Sequence, residues 1–319
     1  MATLVMAAAT MGGRRDLPDA FSGTRALDLA RTLVAFGPRV PGTAAHDRAA
    51  TWLASQIRAR EARLVLQDFT VELEGRKVAC RNLTALTGPA LPPRLVLVAH
   101  WDTRPWSDRE PDASRRRQPG PGANDGASGV AVLLEMLRLL PRDMAIATVF
   151  VDAEDVGQRP EDYAQGSRAW VRAHRGPRPR WALVLDMVGR ADAGFAMEAA
   201  SRRSAPWLVD RLWSVAGTVG AGPWFSRREG PEIIDDHTPF IEAGIPAVDL
   251  VDMADPAWHT HQDDIDRLDA GTMAAVGRTV LALVAGEPGR EGRKSSPSAL
   301  SVGYDGHAAL SRERSFPWP

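Results

Sequence analysis

Cysteine, long apolar runs and excess charge of one sign are all scarce in this chain, and each scarcity removes a class of explanation. The single cysteine, Cys80, permits no disulfide within the chain and no cysteine-built metal cluster. It lies in "KVACRNLTAL" with no helix start or histidine beside it to activate the thiol, and it reads as a buried strand residue rather than a nucleophile. No apolar run approaches the about 18 residues needed to span a bilayer. With 39 Lys+Arg against 40 Asp+Glu, no net field favours nucleic acid or an anionic membrane. Lysine is nearly missing as well: Lys77 and Lys294 stand alone among arginines, a composition bias.

What is present is ordinary for a globular protein with a sizeable core. Hydrophobic residues make up 44% of 319 positions and charged residues 25%, enough for one large α/β domain or two ordinary ones. Residues 1–23, beginning "MATLVMAAATMGGRRDLPDAF", are apolar and alanine-rich without a preceding positive charge. They read equally as the remnant of a signal segment or as a flexible leader. Residues 287–319 are rich in Pro, Gly, Ser and Arg without periodicity and read as a disordered tail, which removes His307 as a ligand candidate.

Between these ends, 24–286 reads as one domain. Thr24–Gly37 and Gly42–Glu61 carry amphipathic helical spacing; "LVLQDFTVEL" and "ACRNLTALTG" alternate like paired strands. Leu95–Ala99 is a continuous apolar run, as in a strand buried on both faces. From there strands (Ala145–Asp155, Trp181–Gly189, "IPAVDLVDM") alternate with helices (Ala127–Leu140, "YAQGSRAWVRAH", "APWLVDRLWSVAGTVG", Ala270–Gly286). The pattern predicts a three-layer α/β/α sandwich with a mixed, mostly parallel central sheet, in which ligands gather at the carboxyl ends of the strands.

Those strand ends carry titratable groups in every case. "RLVLVAHWD" ends in His100 and Asp102; "ATVFVDAED" in Asp152, Glu154 and Asp155; "WALVLDMVG" carries Asp186. Asp125 lies in the Gly-rich "GANDGASGVAV" before a helix, and "PAWHTHQDD" places Trp258, His259 and His261 after the last strand. Each has a plainer reading: Asp125 as an N-cap, Asp152 as an orienting partner, the histidines as polar loop residues. Asp186 resists one, because a charge after an apolar run is costly unless paired or metal-bound. Adjacent Glu154 and Asp155 repel, and a divalent cation on one would relieve them and leave the other as a base. Imidazole plus carboxylate without thiolate suits zinc, whereas an all-oxygen set would suit Mg or Ca.

The ordered motifs "AHWDTRPWSD", "GANDGASGVAVLLE", "VFVDAEDVG", "YAQGSRAW", "LVLDMVG", "DDHTPFIEAGIPAVDL" and "AWHTHQDD" resemble the M28 metallopeptidase family. They are most similar to its glutaminyl-peptide cyclotransferase branch, the animal-type glutaminyl cyclases and their bacterial relatives. The resemblance runs from about Thr24 to Gly286. It implies one zinc ion held by Asp125, Asp155 and His259, with Glu154 as general acid/base. Asp186 and Asp235 would hydrogen-bond around the reacting amide, and Trp258 would line the substrate pocket. His261 becomes a polar loop residue near the site. The substrates implied are peptide or protein N-termini, and an extracytoplasmic location is the family's tendency.

The same resemblance leaves a rival. M28 aminopeptidases are similar to this chain at His100, Asp125, Asp155, Asp186 and His259, which could hold two zinc ions bridged by Asp125. A catalytically silent binding domain is the third reading; it predicts missing ligands, and none is missing. Asp155 departs from the pattern, standing where many relatives carry glutamate, and the loop "AEDVGQRPEDY" differs from the branch's usual one.

Overall fold

The structure, a computed structural model, describes residues 16–288. The expected leader through position 15, and the tail from 289 with His307, lie outside the described residues.

Among the described residues, eight strands form two sheets. The main sheet contains β1 (Arg63–Leu73), β2 (Arg76–Thr87), β3 (Leu95–His100), β4 (Ile146–Val151), β5 (Trp181–Asp186) and β8 (Ala247–Val251), in the order β1-β2-β4-β3-β5-β8. β1 and β2 form an antiparallel hairpin, and β2 pairs antiparallel with β4. The pairs β4–β3, β3–β5 and β5–β8 are parallel. Every residue of β3, β4, β5 and β8 is buried, which is why those segments read as unbroken apolar runs instead of alternating ones.

The alternation reappears in the destination of each side chain. Leu95, Leu97, Leu183 and Leu185 join one core layer, while Val96, Val98, Ala182 and Val184 join the other. The larger layer packs against α1 (Gly23–Val34), α3 (Gly129–Leu137), α6 (Pro206–Thr218) and α8 (Ala270–Ala285). The smaller is covered by α4 (Gln165–Ala173) and α7 (His237–Glu242), through Trp170 and Phe240. Helix α2 (Ala44–Arg58) lies on the first layer through Leu53 and Ile57. The helix starts follow the capping rule: the side chains of Ser22, Thr43 and Asp269 accept from first-turn N–H groups of α1, α2 and α8. Helix α3 lies so close to the sheet that a β-carbon on Gly129 would sit 2.1 Å from the Leu185 carbonyl oxygen.

The sandwich agrees with the sequence reading, and the differences are local. Strand β4 stops at Val151, leaving Asp152–Asp155 in the following loop. Helix α3 starts at Gly129, two residues after the expected Ala127, because Ala123–Ser128 is a separate buried turn bent at Asp125 and Gly126. A small parallel pair, β6 (Phe195–Met197) with β7 (Phe225–Glu229), and the six-residue α5 (Ala199–Ser204) had no expectation. They are too short for a period to register. Packing also begins before Thr24 and continues past Gly286: Phe21 is buried, and the buried Glu287 pairs with Arg211 and Arg180.

The topology places the site. From β3 the chain crosses to β4 on one side, then to β5 on the other, so β3 sits at the switch point where crevices open beyond strand carboxyl ends. No helix among the described residues is long and apolar enough to cross a membrane.

Candidate metal centre

His100 is the last residue of β3, at this switch point, and is fully buried. Its Nε2 lies 3.1 Å from Asp125 Oδ1 and 3.1 Å from Oδ1 of Asp186, the last residue of β5. Asp125 is not an N-cap. Its backbone leaves the helical region (φ −83°, ψ 94°), and its carboxylate turns towards His100 and His259. The neighbouring Gly126 (φ +90°) passes close enough to His100 that a β-carbon would lie 2.8 Å from the ring.

A second convergence shares Asp125. His259 Nε2 is 3.5 Å from Asp125 Oδ2 and 3.4 Å from Asp155 Oδ1. Ligand atoms of Asp125, Asp155 and His259 all lie within 4.8 Å of one another, and those of His100, Asp125 and Asp186 do the same. Ligands bound tetrahedrally at about 2.1 Å from an ion are themselves about 3.4 Å apart, so the Asp125–Asp155–His259 set has the spacing of a zinc site. Asp155 Oδ2 is buried without a hydrogen-bond partner among the described residues, which leaves it available to an ion. Two carboxylates and one imidazole leave a fourth position open, as in catalytic zinc sites.

The backbone around these ligands is held in uncommon conformations. Ala153 (φ +55°), Met187 (φ +48°) and His259 (φ +59°) occupy the left-handed region without being glycine. Each costs of order 1 kcal/mol or more and persists only where the surroundings enforce it. The enforcement is visible. Asp102 accepts from the N–H groups of Glu154 (3.1 Å) and Asp155 (3.3 Å), and Asp263 accepts from those of Asn124 (2.7 Å) and Asp125 (3.0 Å). Asp152 takes Ala153 N–H, Arg81 N–H and the His46 ring, so it orients and does not ligate. Arg39, fully buried, donates to the carbonyls of Trp101, Pro121 and Gly122 and thereby ties the Asp125 loop to the end of β3.

The electrostatics separate the two adjacent acids. Burial opposes ionisation of Asp155, but His259 and Arg104 hold its pKa below the usual carboxylate range. Glu154 has no such partner: burial first, then Asp155 and Asp235, push its pKa well above that range. Its carboxylate makes no hydrogen bond to another described residue. Asp235 accepts from the Asp236 N–H at the start of α7. The Trp258 ring lies 4.2 Å from that of His259, and the Arg109 guanidinium sits 4.1 Å from the indole centroid. His261 stands apart from both clusters, its Nδ1 2.8 Å from Glu110. Cys80 is buried on β2, and burial raises its thiol pKa, which fits an inert strand residue.

Four residues around the site have no counterpart in the sequence reading: Arg39, Arg104, Asp108 and Asp263. Arg104 donates to Asp155 and Gly157 and pairs with Asp108 at 2.6 Å. The one local signal for them is an Arg and an Asp four apart directly after a ligand-bearing strand.

This geometry can be set beside known proteins. The model of peptidase family M28 matches residues 82–284. The chain belongs to peptidase family M28. Among solved structures, the Bacteroides thetaiotaomicron glutaminyl cyclase bound to N-acetylhistamine is 35% identical, with a TM-score of 0.81 over 84% of this chain and 99% of that one. A Zn-dependent exopeptidase from Parabacteroides distasonis is also 35% identical, with a TM-score of 0.80 over 84% and 99%. A glutaminyl-peptide cyclotransferase-like protein of Bos taurus is 24% identical over 77% of this chain and 71% of its own length. The M28 scaffold is thus shared by cyclases and by peptidases, and the side chains at the site carry the choice between them.

Proposed function

We propose that this M28 chain is a zinc-dependent glutaminyl-peptide cyclotransferase, converting the N-terminal glutamine of a peptide to pyroglutamate with release of ammonia. The observation that carries the proposal is Glu154: a buried carboxylate without a hydrogen-bond partner among the described residues, its backbone held by Asp102, next to the Asp125–Asp155–His259 set. The similarity to bacterial glutaminyl cyclases over 84% of the chain supports it.

Asp125, Asp155 and His259 would hold one zinc ion. When bound, the ion supplies Lewis-acid polarisation of the substrate's γ-carbonyl. The peptide's own α-amine attacks the γ-carboxamide carbon, forming the ring C–N bond as the bond to the amide nitrogen breaks. Glu154 accepts a proton from the amine and returns it to the departing ammonia, one carboxyl group acting first as base and then as acid. Asp186 and Asp235 are the acceptors assigned to the amine and amide N–H groups. Trp258 provides an aromatic wall, kept in place by Arg109. Because nucleophile and electrophile belong to one residue, proximity supplies much of the rate, and excluding water prevents hydrolysis to glutamate.

One zinc is the stoichiometry assigned, since the His100–Asp186 contact at 3.1 Å already compensates the second cluster. That cluster, His100–Asp125–Asp186, also favours the competing reading, a two-zinc aminopeptidase. Mass spectrometry of the zinc-loaded protein with a Gln-Xaa and a Leu-Xaa peptide separates the two. Loss of ammonia from the first alone is the expected result; release of a free N-terminal residue from either makes the chain an aminopeptidase.

A further inference from the structure

Beside the metal centre runs a groove of about 1110 Å³ that no step of this chemistry uses. One wall is the end of the β1–β2 hairpin, with Arg76 and Lys77; another is the loop after β3, with Arg104, Trp106, Asp108 and Arg117. Gln158, from the loop that carries Glu154 and Asp155, also lines it. The groove and the zinc ligands therefore share a partition: Arg104 donates to Asp155, and Asp108 contacts His259.

The charges in the groove are unevenly matched. Arg104 and Asp108 satisfy each other, and Arg116 donates to the Glu110 carbonyl. Glu74 is the other acid lining the groove. Arg76, Lys77 and Arg117 are exposed and make no ion pair with any described residue, although most other arginines at this end of the sheet do. Two segments far apart in sequence thus present cations without ion pairs among the described residues to one depression, which the half-buried Trp106, under the Arg104 guanidinium, also lines. Such a surface attracts carboxylates and repels cations, and it does so more strongly at low ionic strength.

We infer that this groove binds acidic side chains a few residues downstream of a substrate's N-terminus, making the protein selective for peptides with an acidic segment behind the reacting residue. The inference rests on the peptide-substrate reading. An extended peptide advances about 3.3 Å per residue, so side chains from roughly the third position onward can pass the Arg104 partition while the first residue sits at the metal.

The test uses zinc-loaded full-length protein and two C-terminally fluorescein-labelled peptides, Gln-Ala-Glu-Glu-Glu-Glu and Gln-Ala-Ser-Ser-Ser-Ser. Anisotropy at low salt should show the acidic peptide binding at least about fivefold more tightly. The preference should vanish at about 0.5 M NaCl, where charges more than a few ångströms apart are screened. It should also collapse in the triple variant Arg76→Glu, Lys77→Glu, Arg117→Glu, with zinc content and thermal midpoint confirming a folded protein. Equal binding of the two peptides by the unmodified protein, or a preference that survives the triple variant, overturns the groove assignment. Ammonia release is read separately: its absence from both peptides would refute cyclotransfer, while the binding difference still decides the groove.

Discussion

Asp108 accepts a hydrogen bond from Nδ1 of His259 at 3.1 Å, and this contact fixes which ring nitrogen is left for a metal. A carboxylate can only accept, so Nδ1 carries the proton and Nε2 faces Asp125 and Asp155. Arg104 grips Asp108 from one side and Asp155 from the other, coupling Asp155 to His259 through one guanidinium and the Asp108 carboxylate.

Asp108→Ala should therefore weaken zinc binding without removing a ligand. Partners of this kind contribute about 10- to 100-fold in metal affinity, and the partial exposure of Asp108 puts the expected loss near tenfold. Chelator competition against the unmodified protein measures it; unchanged affinity would mean that the backbone at His259 alone orients the ring.

Glu154→Gln should lower turnover by about 10²- to 10⁴-fold while zinc per chain stays the same. Asp125→Ala should lose zinc and activity together. Metal analysis by mass spectrometry beside ammonia release distinguishes the two. Full activity in Glu154→Gln would remove this residue from proton transfer.

Replacing Arg39 with methionine removes the donor from the buried Trp101 carbonyl and from the half-buried carbonyls of Pro121 and Gly122, of which only Gly122 keeps another, the Ala127 N–H. The expected destabilisation is about 3 kcal/mol or more, read from the denaturant midpoint. Arg39→Lys should recover only part of it, since one ammonium cannot reproduce a three-way planar fork.

Glu198 offers a pH test away from the metal ligands. Burial works against its ionisation, yet the His237 ring 3.3 Å away and hydrogen bonds from the N–H groups of Ser201 and Ala200 hold its pKa down at about 2, against the usual 4.5. A carboxylate depressed in the folded chain stabilises it in full above the unfolded value and loses that contribution as pH falls towards the folded one. Glu198→Gln should accordingly be less stable than the unmodified protein at pH 7, and the gap in denaturant midpoint should close as pH drops from about 4.5 towards 2. A gap that stays constant across that range would show that the carboxylate charge plays no part.

The candidate ligands are legible in the sequence as titratable groups because they follow buried apolar strands or a glycine-rich turn, where a charge is conspicuous. The choice of Asp125, Asp155 and His259 among them comes from the M28 resemblance, since locally Asp125 also reads as an N-cap and His259 as a polar loop residue. Arg39, Arg104, Asp108 and Asp263 act on the site through hydrogen bonds to residues tens of positions away, or more than a hundred, and no local period records such a partner. The hairpin cations Arg76 and Lys77 are legible only as exposed charge. Their meeting with Arg117 depends on how the β1–β2 hairpin lies against the loop after β3.

Apolar period and burial cost, local properties written in neighbouring letters, carried the layered α/β architecture and the charged groups at the strand ends, and the ordered motifs carried the family resemblance. Tertiary packing placed Asp125 in two clusters at once, turned His259 Nε2 towards them, and paired Asp155 with Arg104 and His259 while leaving the Glu154 carboxylate without a hydrogen bond among the described residues. Those outcomes depend on distances of 3 to 4 Å between segments that only the crossing of β3, β4 and β5 brings together.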